Sequence, residues 1–212
     1  MYQLYMLPGA CSMAVHAILH EIGVPFEAHT MDKTTLKQED YLKMNPRGNV
    51  PLLTDDGFVI REGAAIITWL CDKHGFPYWP QASVGNGHGR AQALQWLAYM
   101  NATLHPAYSK VMWLKSNVKD EATRDQLVLL ASQQIQTLWD ELNQQLANTT
   151  FLCGEQPSPA DFLMAVIANW QGFLPQPVIF GPNLQRTLKA VTSRPSFQAA
   201  LQHEKIDYKA AA

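Results

Sequence analysis

The spacing of hydrophobic residues changes period along the chain. Residues 2–7 ("YQLYML") and 25–31 ("PFEAHTM") alternate with a period of two, and between them "SMAVHAILHEI" carries apolar residues three and four apart and stops at Gly23. This predicts a strand, a helix over residues 12–22 and a second strand. A polar stretch with no clear period follows. Then "VPLLT" and "FVIRE" flank the turn Asp55-Asp56-Gly57, and an apolar run from Gly63 to about Lys73 predicts a helix. The order is βαβ followed by ββα. A helix between strands one and two makes them parallel, and the Asp-Gly turn makes the last two an antiparallel hairpin.

Residues 74–89, "HGFPYWPQASVGNGHG", break every period and are rich in Gly and Pro, which marks a linker. Everything beyond reads as helix. "RAQALQWLAYMNATLHPAYSKVMWLKS" is one long helix with Pro106 inside it, where a kink is expected. "EATRDQLVLLASQQIQTLWDELNQQLAN", "SPADFLMAVIANW", "PNLQRTLKAVT" and "PSFQAALQHE" supply the rest. The division is an α/β domain over residues 1–80 and an all-helical domain over residues 86–212, without internal repeats.

Composition narrows the function. The 212 residues are 47% hydrophobic, enough for a substantial core, and the formal charge of −2 offers no basic surplus for nucleic acid or an anionic membrane. No signal-peptide pattern and no run of about 18 apolar residues is present, so a cytoplasmic protein is expected. Three widely spaced cysteines, at 11, 71 and 153, suggest free thiols rather than disulfides or a metal motif.

Four segments, "PGACS", "NPRGNVPLL", "REGAAI" and "SPADFLMA", together with the domain order, resemble the cytosolic glutathione transferases over nearly the whole chain. The Cys-Ser pair after Pro-Gly, the "EG" opening the third helix and the histidine on the kinked helix are most similar to the bacterial beta class. The resemblance implies a thioredoxin-like N-terminal domain, an all-α C-terminal domain, a C2 homodimer, and glutathione as substrate with no separate cofactor. The reaction it implies is attack of the glutathione thiolate on a small apolar electrophile. A glutathione-dependent disulfide reductase or peroxidase working through a Cys11 mixed disulfide is the alternative, as is a non-catalytic homologue that binds glutathione or a partner.

The residues carry this reading as follows. Cys11 stands at a helix start, where unsatisfied N–H groups favour thiolate over thiol. The resemblance places Cys11 at the glutathione sulfur, with Ser12 as the rival donor. Asn49, Val50 and Pro51 belong to the "NPRGNVPLL" segment; the resemblance implies a cis peptide before Pro51 and main-chain pairing between Val50 and the ligand. Glu62 and Gly63 open a helix, so a γ-glutamyl carboxylate fits the Gly63 amide while Glu62 accepts from the ligand amine. His105 is expected to face the thiol end, and Lys33, or less directly Lys37, supplies the basic residue after the second strand. The pattern departs from the family at Ala98, Thr103 and Pro106. Leu7, Tyr108 and Met112 are candidates for the co-substrate pocket.

Other conspicuous residues read as structural. His16 and His20 have a spacing that can hold a metal, but Ala17 stands where a zinc-protease glutamate would be and no third ligand is evident, so no metal is expected. In "SPADFLMA", Ser158, Pro159 and Asp161 form a capping box. Trp96, Trp113, Trp139, Trp170 and the eight methionines fall mostly at core spacing.

Overall fold

The computed structural model describes residues 1–81 and 87–211. Four strands, β1 (Tyr2–Met6), β2 (Phe26–Thr30), β3 (Leu52–Asp55) and β4 (Phe58–Arg61), form one sheet in the order β2-β1-β3-β4. β1 and β2 are parallel, joined by α1 (Ser12–Ile22), and β3 runs antiparallel to both β1 and β4. The alternation of β1 buries Tyr2, Leu4 and Met6 on one face, against α1 and α3 (Gly63–His74). Its other face carries Tyr5 into a smaller cluster around Met31, Tyr41 and Leu52. The polar stretch without a period is a 3-10 turn at Thr35–Lys37 and the short helix α2 (Glu39–Met44), which contributes Tyr41 to that cluster.

Of the expected linker, residues 82–86 lie outside the described part of the chain. Its described start is anchored: Trp79 donates to Asp72 at 2.8 Å, and Arg90 pairs with the same carboxylate at 2.6 Å while its guanidinium lies 4.1 Å from the Trp79 ring centre. The expected long kinked helix is α4 (His88–Tyr99), a π turn (Met100–Leu104) and α5 (His105–Asn117). The His105 N–H reaches back five residues to the Met100 carbonyl. Pro106 accounts for this break, since it has no N–H to donate and its ring crowds the preceding turn.

The remaining helices are α6 (Glu121–Gln145), α7 (Pro159–Ala168), α8 (Pro182–Thr192) and α9 (Pro195–Glu204), with a 3-10 turn at Asn169–Phe173. α7 is buried at every position and forms the centre of the helical half. The Asp161 carboxylate accepts from the Ser158 N–H at 2.8 Å, the Ser158 hydroxyl at 2.6 Å and the Leu152 N–H at 2.9 Å, which realises the expected capping box. Burial still pushes its pKa up to about 6 against the pull of those donors.

α1 packs against both α9 and α7, so the sheet half and the helical half share one continuous core. His16 of α1 is fully buried and pairs with Glu204 of α9 at 2.8 Å, and Glu21 pairs with Arg194 and Ser196. Among the described residues, no group of three or more His, Cys, Asp or Glu is arranged to hold a metal, and no helix is long and apolar enough to cross a membrane. Two expectations about burial need correction or qualification. Trp113 is 61% exposed on α5, whereas Trp96, Trp139 and Trp170 are buried as expected. Among the methionines Met1 is exposed and Met44 and Met112 are half-buried.

Candidate functional site

The loop after β1 turns at Pro8 and Gly9 and delivers Cys11 to the cap position of α1. Across from it, the Val50–Pro51 peptide is cis, and the Cys11 thiol donates to the Val50 carbonyl at 3.6 Å. Asn49 is anchored beside it, its carbonyl accepting from the Tyr41 hydroxyl at 2.6 Å and from the Asn45 amide at 2.7 Å. Glu62 precedes α3 with φ +67°, a left-handed value that a non-glycine residue adopts only at a cost of about 1–3 kcal/mol. Strain of this kind concentrates at functional sites, and here it aims the α3 terminus and the Glu62 carboxylate along one edge of a cleft.

Two cavities meet in this cleft. The smaller, about 150 Å³, is lined by Cys11, Asn49, Val50, Pro51, Glu62 and Gly63, with Asn101 and His105 opposite. The larger, about 540 Å³, runs from Leu7 and Leu36 to Met112, Trp170 and Phe173, and no Asp, Glu, Lys or Arg lines it. Cys11, Asn49, Val50 and His105 belong to both walls. The π turn before α5 carries Asn101, and His105 follows it directly, so this irregularity presents both to the smaller cavity. The His105 ring stands edge-on to Trp170 with centres 5.0 Å apart, and burial lowers its pKa, which keeps the imidazole neutral at pH 7.

The Cys11 thiol corrects the expectation of an activated thiolate. Burial pushes its pKa up to about 11, with the N–H groups of Ser12 and Cys11 pulling down and the Glu62 charge adding to the rise. A helix terminus is worth about 0.3–1 kcal/mol, too little to offset removal from water. In the ligand-free protein Cys11 is therefore a neutral hydrogen-bond donor.

Seven of the expected residues, Cys11, Asn49, Val50, Pro51, Glu62, Gly63 and His105, do line the smaller cavity, and Leu7 and Met112 line the larger. Ser12, Lys33 and Tyr108 line neither. Ser12 is fully buried, its hydroxyl donating to the Leu7 carbonyl at 3.3 Å and accepting from the Leu7 N–H at 3.1 Å, so it braces the loop. Lys33 and Lys37 are exposed, because the polar stretch turns away as a 3-10 turn. Tyr108 is a fully buried core residue whose hydroxyl accepts from Trp139 at 3.0 Å; Ser109, its neighbour, reaches the cavity instead. Ala98, Thr103 and Pro106 are exposed and line neither of the two cavities.

Among the residues missed are Arg47, Asn101, Ser109, Trp170 and Phe173. Arg47 holds a Glu62 oxygen at 2.8 Å and sits within the "NPRGNVPLL" segment, so its position was on view. The others come from the helical half, and only the fold brings them to the cleft.

Comparison with known proteins agrees with this geometry. Family models for the glutathione S-transferase N-terminal domain and C-terminal domain match residues 9–73 and 93–195. Glutathione S-transferase GST-4.5 of Xanthomonas campestris is 32% identical over 168 residues, 79% of this chain and 81% of the relative. A sphingomonad glutathione S-transferase complexed with glutathione superposes with a TM-score of 0.82 at 28% identity, over 97% of this chain and all of that one. A bacterial beta-class enzyme from Sphingomonas chungbukensis gives 0.80 at 27% identity, over 95% and 98%. With both halves matched and the cleft residues assembled between them, the chain belongs to the glutathione S-transferase family.

Proposed function

We propose that this protein binds glutathione in the smaller cavity and directs its sulfur onto a neutral, apolar electrophile held in the larger one. The observation that carries the reading is that the two cavities share Cys11, Val50, Asn49 and His105, so a sulfur placed there faces a chamber lined without a fixed charge. The γ-glutamyl end fits the edge formed by Glu62 and the Gly63 amide, where one carboxylate and one helix terminus can read an amine and a carboxylate together. Val50 pairs with the cysteinyl unit through its main chain. The glutathione complex of the sphingomonad relative supports the ligand.

The chemical task is acidity. A thiol with pKa near 8.5 is only a few per cent ionised at pH 7, so donors aimed at the sulfur raise the thiolate share. Cys11, kept as a neutral thiol, donates S–H to that thiolate; neutral His105 donates a ring N–H from the opposite wall. The thiolate then forms a carbon–sulfur bond as the leaving group departs with its electron pair, and the thiol proton passes to water. A raised Cys11 pKa favours this donor role over Cys11 as nucleophile in disulfide exchange. Three unpaired cysteines fit a reducing cytoplasm.

The test is conjugation of glutathione to paired aryl halides, one neutral and one carboxylated, followed by absorbance. Turnover of the neutral compound at a kcat/KM well above that of the charged one is expected. Glutathione binding with no turnover of any electrophile would instead identify a non-catalytic member of the family.

A further inference from the structure

We infer that Glu204 and Trp170 are positioning residues: from the helical half they hold the Gly9 backbone through its N–H and its carbonyl and so hold Cys11 in the cleft wall. The Gly9 N–H donates to Glu204 Oε2 at 2.8 Å, and the Gly9 carbonyl accepts from Trp170 Nε1 at 2.8 Å. These partners lie 195 and 161 residues away in sequence. Both backbone polar groups of one residue in the loop, two positions before Cys11, are thus satisfied by side chains of the other half. Gly9 has φ +71°, and a Cβ there would meet Ile206 at 3.1 Å, so the loop backbone lies close against the C-terminal segment.

Glu204 reaches further. Its side chain is fully shielded from solvent, and its second oxygen pairs with His16 Nδ1 at 2.8 Å. His16 belongs to α1, the helix that Cys11 caps, so one buried carboxylate ties the loop before Cys11 to the helix after it. Trp170 likewise serves two groups, holding Gly9 through its N–H and standing edge-on to His105 at 5.0 Å. The helical half therefore sets the distance between Cys11 and His105. Glu204 lines neither cavity and acts through the loop and α1.

The inference rests on the reading of Cys11 as the partner of the glutathione sulfur, but its test needs no glutathione. Cys11 in the ligand-free protein is alkylated with iodoacetamide at pH 8 and its rate read by peptide mass spectrometry, with buried Cys71 and Cys153 as internal reporters of global opening. Trp170→Phe keeps an aromatic side chain and removes the donor; it should raise the Cys11 rate by about two- to twelvefold, the ratio that one net hydrogen bond is worth. Glu204→Leu should raise it at least as far, and Glu204→Gln, which keeps an acceptor for the Gly9 amide, should stay near wild type. In all three, Cys71 and Cys153 keep their wild-type rates. A Cys11 rate unchanged in Trp170→Phe, or a parallel rise at all three cysteines, would overturn the inference, and Trp170→Phe decides the matter if Glu204→Leu does not fold. Glutathione affinity is measured beside it. A wild type that binds no glutathione would remove the reading of Cys11 while leaving the alkylation result to judge the clamp.

Discussion

Replacing Glu62 with alanine removes the carboxylate assigned to the ligand amine and leaves the backbone of the cleft in place. Arg47 holds Oε1 of Glu62 at 2.8 Å, so Oε2 is the oxygen left to meet an ammonium group. A hydrogen bond to a charged group contributes about 1.5–3 kcal/mol. The Glu62 side chain is 59% exposed, and solvent screening places this contact at the lower end, about 1.5–2 kcal/mol, or a 13- to 30-fold rise in glutathione Kd. Arg47→Ala is the matched control. It breaks an exposed ion pair worth about 0.2–1 kcal/mol and should weaken binding by no more than about fivefold, because the carboxylate remains. Titration calorimetry at fixed ionic strength reads both values, and thermal unfolding checks that each variant folds. An unchanged Kd in Glu62→Ala, or a larger loss in Arg47→Ala than in Glu62→Ala, would refute the assignment and return Glu62 to a residue that only starts a helix.

Five further outcomes follow from the same geometry. Asp161→Ala should cost about 2–4 kcal/mol by removing the capping box and leaving the buried Leu152 N–H unpaired, which calorimetry would read as a Tm lower by about 4–16 °C; a Tm within a degree of wild type would contradict it. Gly63→Ala should leave glutathione affinity within about twofold, since the new Cβ meets Pro51 at an ordinary 3.5 Å, and a larger loss would show that the cavity needs the bare backbone. Alkylation of Cys11 should rise about tenfold per pH unit from pH 8 and level off near pH 11, because only the thiolate reacts and burial holds the thiol protonated; a plateau by pH 7 would contradict the raised pKa. The same raised pKa makes the fold lose stability as pH climbs from 9, where the unfolded chain ionises, to 11, because the folded state alone retains the proton. A homodimer is expected through the groove between α3 and α4, where Ala64, Ala65 and Ala98 leave room beside exposed Leu94; light scattering should give about twice 23.8 kDa, and Leu94→Arg should return the monomer mass.

Legibility in the chain followed the range of the interactions. α8 and α9 match the expected segments residue for residue, since each begins with a proline that can only start a helix. The capping box of α7 and the hairpin at Asp56-Gly57 were equally open, because each is set by residues within five positions. α2 was not visible: "EDYLKM" buries Tyr41 alone and so shows no apolar period. Trp113 and Trp139 illustrate a different limit. Both sit on periodic helices, but only the arrangement of neighbours decides that Trp139 is enclosed and Trp113 faces solvent. In the cleft, the motif residues Cys11, Val50, Pro51, Glu62 and Gly63 were legible because β-strand and helix ends converge there in this fold. Trp170, Phe173 and Asn101 were not, since their places depend on how the helical half docks. The direction of the Cys11 pKa differs from the expectation for the same reason: the helix start is local and visible, while the burial that overrides it exists only in the folded cleft.

The central claim is that glutathione occupies the smaller cavity with its sulfur at the junction of the two. A crystal structure of the protein soaked in millimolar glutathione tests it most directly. The expected density places the γ-glutamyl group against Glu62 and the Gly63 amide, the cysteinyl backbone against the Val50 main chain, and the sulfur within hydrogen-bonding reach of Cys11 Sγ, facing the chamber walled by Met112 and Trp170. Glutathione bound elsewhere, or a cleft still filled only with water at that concentration, would contradict the account.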